Sequence, residues 1–311
     1  MTTKNDMLIG ESQQIGPLQV WPLKWEGLVP QSYQVPPFLE KLKFDEIEDE
    51  DGPTVDWIQV HNPTNEPFLI PSGWIIAADL WQERTVNSVE YIEAHSTVGI
   101  SVSCVEKSRW RQEFNLPDGG RAPFSVIAAG WEFDSVAGYW KMNRETRQSK
   151  VWQQVSKQES RTGERPTNSL RQVMEEDSRA STIHQTILNL TKSKLRVHHE
   201  QNGILIALDG QPLVTEFFSI PRAIGQTVKQ TLRAASFDAT SLESRPISRS
   251  EVEKFLNEIR GENRFEIDSE EWGSVFAGGT NLIDTRITCG LDERVMHLTA
   301  LNRNHRVLLE V

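Results

Sequence analysis

Cysteine is scarce: the 311 residues contain two, Cys104 and Cys289, with no C-x-x-C pair. Neither a disulfide framework nor a cysteine-based zinc site is therefore expected to hold the fold. Long apolar runs are missing too, none approaching the roughly 20 residues a helix needs to cross a bilayer. The opening MTTKNDMLIG lacks the basic and apolar blocks of a secretory signal, so a cytoplasmic protein without membrane contact is expected. Positive charge is short, 33 Lys and Arg against 44 Asp and Glu for a net charge of −11. That balance argues against general binding to nucleic acid or anionic membranes, which relies on clustered cations. The sequence holds no G-x-x-x-x-G-K-[ST] loop, no G-x-S-x-G elbow, no H-E-x-x-H and no G-x-G-x-x-G after a strand. Common solutions are excluded by this, not catalysis in general. No repeat or low-complexity tract interrupts the chain.

What is present suits a folded chain with a large core: 37% hydrophobic and 25% charged residues. The clearest pattern lies in residues 80–110. Val98, Ile100, Val102 and Cys104 alternate with Gly99, Ser101 and Ser103, the mark of a half-buried strand. Glu106 continues the apolar face and points where the core residues point. Upstream, Leu80, Gln82, Arg84 and Val86 share a face if extended, which again puts polar groups among aliphatic ones. A buried ion is costly unless paired, so Glu106 is expected to meet Arg84 or Arg109, with Gln82 completing the network. Arginine suits this because its planar fork holds a carboxylate by two bonds.

Along the chain, residues 15–30 read as an edge strand because of their prolines. Residues 31–43 read as a short helix, and 55–60 and 67–78 as strands, with Gly73 a bulge or close-approach site. Residues 141–199 are polar and helix-compatible, interrupted near Gly163 and Pro166. Residues 203–218 read as a hairpin turning at Asp209-Gly210, and 221–235 as a helix. A further helix spans 251–260, with Ser250 as N-cap and Glu253 closing a capping box. A second hairpin covers 285–301, and 307–311 reads as a strand. The fold expected is α+β: an antiparallel, sandwich-like sheet from the N-terminal half and the two late hairpins, with helices from the middle and C-terminal half packed against it. One domain over 1–311 is expected, with a helical insertion at about 141–199.

Chemistry can be weighed residue by residue. Cys104 beside Glu106 admits a thiol nucleophile with a base, although its place in line with Val98, Ile100 and Val102 favours packing. Gln82, Arg84, Glu106 and Arg109 can line an anion pocket, two guanidinium groups on a phosphate and Glu106 as general base or hydroxyl acceptor. They can equally tie two strands together. Glu216 is another carboxylate in an apolar strand and a candidate for the same cluster. Trp81, Trp110 and Trp152 read first as packing, and His297 as a core or edge histidine. Neither His297 nor His198-His199-Glu200 has metal-ligand spacing, so no metal is predicted and no cofactor is named. The acidic run at 44–56 and the basic run at 141–171 read as solvated surface, the basic one also as a contact for a protein partner or a second copy.

At Gln82-Glu-Arg84 and Cys104-Val-Glu106-Lys-Ser-Arg109-Trp110 the chain resembles the prokaryotic ARPP family, proteins associated with ADP-ribosylglycohydrolases and rhodanese/phosphatase-type enzymes. Weaker likenesses at Pro17-Leu18, Val151-Trp152, Glu216-Phe217 and residues 295–300 extend it over most of the chain. The resemblance implies processing or sensing of NAD-derived, ADP-ribose-type nucleotides and names no reaction. The function expected is thus binding or processing of such a phosphate-containing molecule through Gln82, Arg84, Glu106 and Arg109, with Trp110 and Glu216 beside them. The alternative is a non-catalytic regulatory or oligomeric interaction protein in which the cluster is structural.

Overall fold

Two-residue alternation and turn chemistry lay down most of the strands. The structure is a computed structural model that describes residues 7–26, 28, 31–49, 52–77, 82–106, 118–131, 144–162, 169–176, 185–186, 189, 195–197, 199–239, 243–260, 264–270, 273–279, 283–290 and 294–309. The first part of the chain supplies β1 (Met7–Ile9), β2 (Gln13–Ile15), β3 (Leu18–Trp25), a 3-10 turn at Phe38–Lys41, β4 (Lys43–Asp49), β5 (Gly52–His61), β6 (Phe68–Ile70) and β7 (Trp74–Ile76). Next come β8 (Arg84–Val86), β9 (Glu90–Ile92), β10 (Thr97–Cys104), β11 (Asp118–Arg121) and helices α1 (Phe124–Gly130), α2 (Arg144–Thr162) and α3 (Leu170–Glu176). The hairpin β12 (Gly203–Leu208) and β13 (Gln211–Phe218) leads to α4 (Pro221–Asp238) and α5 (Arg249–Arg260). Strands β14 (Arg264–Glu270), β15 (Gly273–Gly279), β16 (Ile283–Gly290), β17 (Val295–Asn302) and the one-turn helix α6 (Arg306–Leu309) follow. The fold is α+β, and the pairings between these strands are antiparallel.

Contacts divide the described chain into two units, one drawn from residues 7–31 and 183–310, the other from 32–132 and 142–182. The first unit is a nine-stranded sheet in the order β1-β3-β12-β13-β17-β16-β15-β14, with β2 also on β3. An N-terminal strand and both late hairpins share this sheet as the sequence predicts, whereas β4 to β11 form sheets of the second unit. Both faces of the central strands are covered, which is why β12 reads GILIAL and is buried at every position. Val252, Phe255, Leu256 and Ile259 of α5 pack with Trp21, Leu23, Leu205, Phe217 and Leu298 on one face. Helix α4 lies against the other face, where Thr231 reaches Glu216. The turn between β12 and β13 has positive φ at both Asp209 (54°) and Gly210 (78°), the geometry that suits a right-twisted two-residue hairpin.

Two boundaries differ from the sequence reading. The capping box of α5 falls two residues earlier: the Ser248 amide donates to Glu251 Oε2 (2.6 Å) and the Glu251 amide to Ser248 Oγ (3.4 Å). Both pairs fit the same S-x-x-E pattern, and the chain uses the first. Residues 306–309 are helical rather than extended, because His305 and Asn302 supply a capped turn: the Leu308 amide donates to the His305 carbonyl (2.8 Å) and the Asn304 amide to Asn302 Oδ1 (3.1 Å).

His305 carries a pH prediction. Its imidazole is fully buried, Nε2–H donates to the Leu208 carbonyl (2.8 Å), and Nδ1 accepts the Val307 amide (3.4 Å). Burial pushes its pKa below the ordinary 6.5, against the pull of the Leu208 carbonyl and Asp209. The neutral ring is the folded form, so the unfolded chain binds the extra proton. Its stabilisation is complete above about pH 6.5 and is lost as pH falls toward the lowered value, at no more than about 1.4 kcal/mol per pH unit. Urea midpoints measured from pH 7.5 to 5 should fall, and His305→Gln should flatten that slope.

The second unit holds a six-stranded sheet, β11-β7-β8-β10-β5-β4, and the pair β6-β9. Its core joins Leu39, Phe44, Ile58, Phe68, Trp74, Ile76, Val86, Ile100 and Val102. Gly73 divides the single strand expected at 67–78 into β6 and β7. It sits at φ 78°, and a Cβ there would lie 2.2 Å from Ile127 Cδ1, so it is the close-approach glycine the sequence suggests, seated under α1. Helix α2 packs on α1, α3 and β10.

Candidate functional site

The site grows from the end of β10. Residues 97–101 pair with β5, then Val102, Ser103 and Cys104 pair with Val86, Thr85 and Arg84 of β8. Cys104 and Arg84 stand directly opposite, so the two polar faces read from the sequence meet in the structure. Beyond Cys104 the ladder continues irregularly: the Val105 amide donates to the Glu83 carbonyl (3.1 Å), and the Leu170 amide to the Val105 carbonyl (3.0 Å). Glu106 forms an isolated antiparallel bridge with Ser169.

Gln82 is the hub. Its Oε1 accepts Arg84 Nη1 (3.2 Å) and the Cys104 thiol (3.3 Å). Of the two arginines expected to meet Glu106, Arg84 directs Nη2 at Glu46 Oε1 (3.6 Å), and Arg109 lies outside the described residues. Glu106 Oε2 accepts the Glu83 amide (3.2 Å). Glu83 in turn accepts Ser169 Oγ on Oε2 (3.0 Å) and Arg171 Nε on Oε1 (2.7 Å). These groups are dry: Gln82 is 4% exposed, Glu83 2%, Arg84 1% and Glu106 3%. Charges at that depth interact strongly and are costly to leave unmatched.

The Cys104 thiol also donates to the Glu106 carbonyl (2.9 Å). Burial pushes its pKa up, while the Arg84 charge, the Glu106 carbonyl and Trp152 pull it down by less. A thiol held protonated in this way is a weak nucleophile near neutral pH. From α2, Gln148 grips the same residue's backbone: its Nε2 donates to the Cys104 carbonyl (2.7 Å) and its Oε1 accepts the Cys104 amide (2.8 Å).

Glu46, Glu83, Gln148 and Ser169 are members that the sequence reading did not single out. Glu46 and Asp56 (8% exposed) also correct the reading of the acidic run as solvated surface. Phe44 on β4 is buried, and parity places Glu46 on its face, a signal that the density of acidic residues hid. The basic run is partly turned inward as well. Arg171 meets Glu83, and Arg147 donates to Ser101 Oγ (3.1 Å), with burial lowering its pKa.

Trp81 and Trp110 lie outside the described residues, as does His198. Glu216 belongs to the other unit, where Oε1 meets His297 Nε2 (3.0 Å) and Thr299 Oγ1 (3.4 Å), and Oε2 meets Thr231 Oγ1 (3.5 Å). His297 is a core residue, fully buried and tilted against Phe218. No group of three or more His, Cys, Asp or Glu suited to a metal ion occurs among the described residues, and no helix there is long and apolar enough to cross a membrane.

Antiparallel sheets flanked by helices, with a buried arginine, carboxylate and amide cluster at one strand end, define an α+β protein with a candidate polar-ligand site. The chain matches the family model of the ARG and Rhodanese-Phosphatase-superfamily-associated Protein domain, ARPP-1, over residues 6–301. It belongs to that family. No curated protein and no solved structure matches it.

Proposed function

We propose that the protein binds or processes an NAD-derived, ADP-ribose-type nucleotide, with the cluster of the second unit as its site. Arg84 carries this reading. Its terminal nitrogens are directed at Gln82 and Glu46, while Nε has no hydrogen-bond partner among the described residues. A buried guanidinium donor left over is costly, and a phosphate oxygen suits it well. The family's description, which ties it to glycohydrolase and phosphatase-type enzymes, supports the same ligand class. In this reading Arg84 and Arg109 hold phosphate, Gln82 orients the ligand, and Glu106 accepts a ribose hydroxyl or serves as general base. Trp110 offers a face to the base.

A thermal-shift panel of ADP-ribose, NAD, cyclic and linear nucleotides and inorganic phosphate tests it. A ligand at 100 times its dissociation constant adds roughly 2.7 kcal/mol of stability. A shift with ADP-ribose that disappears in folded Glu106→Gln is the expected result; no shift with any member of the panel rejects the reading.

One observation favours a second reading, a regulatory or interaction protein in which the cluster is structural. Gln148 closes both hydrogen-bonding groups of Cys104, and Arg147 and Arg171 of the basic run are engaged within their own unit. Glu106→Gln would then melt early without changing any ligand response, and a partner or second copy would meet the remaining basic residues of 141–171.

A further inference from the structure

We infer that residues 169–176 form a strap that holds this site shut by occupying Glu83, an inference that rests on the nucleotide reading above. The strap enters through one bridging residue, Ser169, and continues directly as α3. It meets the chain just past the end of β10, through the Leu170 amide on the Val105 carbonyl and the isolated bridge from Ser169 to Glu106. Ser169 then caps α3, its Oγ accepting the Gln172 amide (3.1 Å).

Both carboxylate oxygens of Glu83 are taken by this one segment, Oε2 by the Ser169 hydroxyl and Oε1 by Arg171 Nε. A hydroxyl donor on a buried carboxylate is the contact a ribose would make. Ser169 therefore stands where a sugar hydroxyl would, and Arg171 neutralises the charge that an incoming phosphate would face. Depth gives the order of the layers: the Arg171 side chain is 21% exposed and the Glu83 side chain 2%. Arg171 lies outermost, and Glu83 joins the cluster through its amide, which donates to Glu106 Oε2 (3.2 Å). Leu170, Val173 and Met174 are buried and seat the strap, so release of Arg171 loosens it without unfolding α3.

The test uses the whole protein and two substitutions, Arg171→Ala and the milder Arg171→Gln, with two readouts. Amide hydrogen exchange at Leu170 and Val105, without ligand, reports on the strap alone. Titration with ADP-ribose reports on the site. Loss of one charge-assisted hydrogen bond should speed exchange at Leu170 and tighten ADP-ribose by roughly tenfold each. Tighter ADP-ribose binding by both variants than by the wild type, together with faster exchange at Leu170, supports the strap most directly. Unchanged exchange at Leu170 in both variants overturns it. Faster exchange with equal or weaker ADP-ribose binding overturns the gating role and leaves the nucleotide reading standing. Faster exchange with no ADP-ribose binding by wild type or variants overturns the nucleotide reading, and the gating role with it.

Discussion

Arg84→Ala should lower the stability of the second unit by about 3–5 kcal/mol, the usual loss when one partner of a buried ion pair is removed. The side chains of Arg84 and Glu46 are 1% and 8% exposed, so little water reaches the carboxylate left behind. Gln82 Oε1 loses a charged donor in the same step, and the space of a fully buried arginine opens beside Cys104. The double substitution Arg84→Met with Glu46→Leu should recover much of the loss, because a filled apolar pair avoids the desolvation penalty. Denaturant midpoints of Arg84→Met, Glu46→Leu and the double give the coupling. A loss below about 1 kcal/mol for Arg84→Ala would show a solvated pair, since that is the range of exposed salt bridges.

His297→Leu should cost the first unit about 1–3 kcal/mol, by removing a buried hydrogen bond to Glu216 in the middle of a covered sheet. Thr231 and Thr299 remain, but their hydroxyls stand at 3.5 and 3.4 Å and do not replace a partner at 3.0 Å. Glu216→Gln should cost less, since its amide oxygen still accepts a hydrogen bond from the ring and carries no charge. Equal midpoints for His297→Leu and the wild type would mean that the pair contributes nothing to the sheet.

That the segment of Gln82 and Arg84 lies beside the strand of Cys104 and Glu106 was legible, because strand side chains repeat every two residues and polar groups set among aliphatic ones need partners; the contacts of Arg84 with Glu46 and of Gln82 with the Cys104 thiol were not. Glu46 was hidden among other acids on a strand whose pairing is set by the chain as a whole. Glu83 has the opposite parity to Arg84, and only the irregular continuation of the ladder past Cys104 brings it into the cluster. Helix α2 presents Gln148, Val151, Gln154, Val155 and Gln158 as a buried face at helical spacing. Three of those five positions are glutamine, so the stripe reads as polar; partners that let it be buried, the Cys104 backbone and Ser125 Oγ, come from distant sequence. The run Val307-Leu308-Leu309 is too short for periodicity to decide between strand and helix, and the cap at Asn302 and His305 decides it.

The most direct test of the account is calorimetric titration of ADP-ribose into the wild type and Arg84→Lys. Lysine keeps a positive charge opposite Glu46 and removes the Nε–H donor and the fork. Binding by the wild type that weakens tenfold or more in a folded Arg84→Lys is the result predicted. Equal affinity in the two proteins would contradict it, and would remove Arg84 from any ligand-binding role.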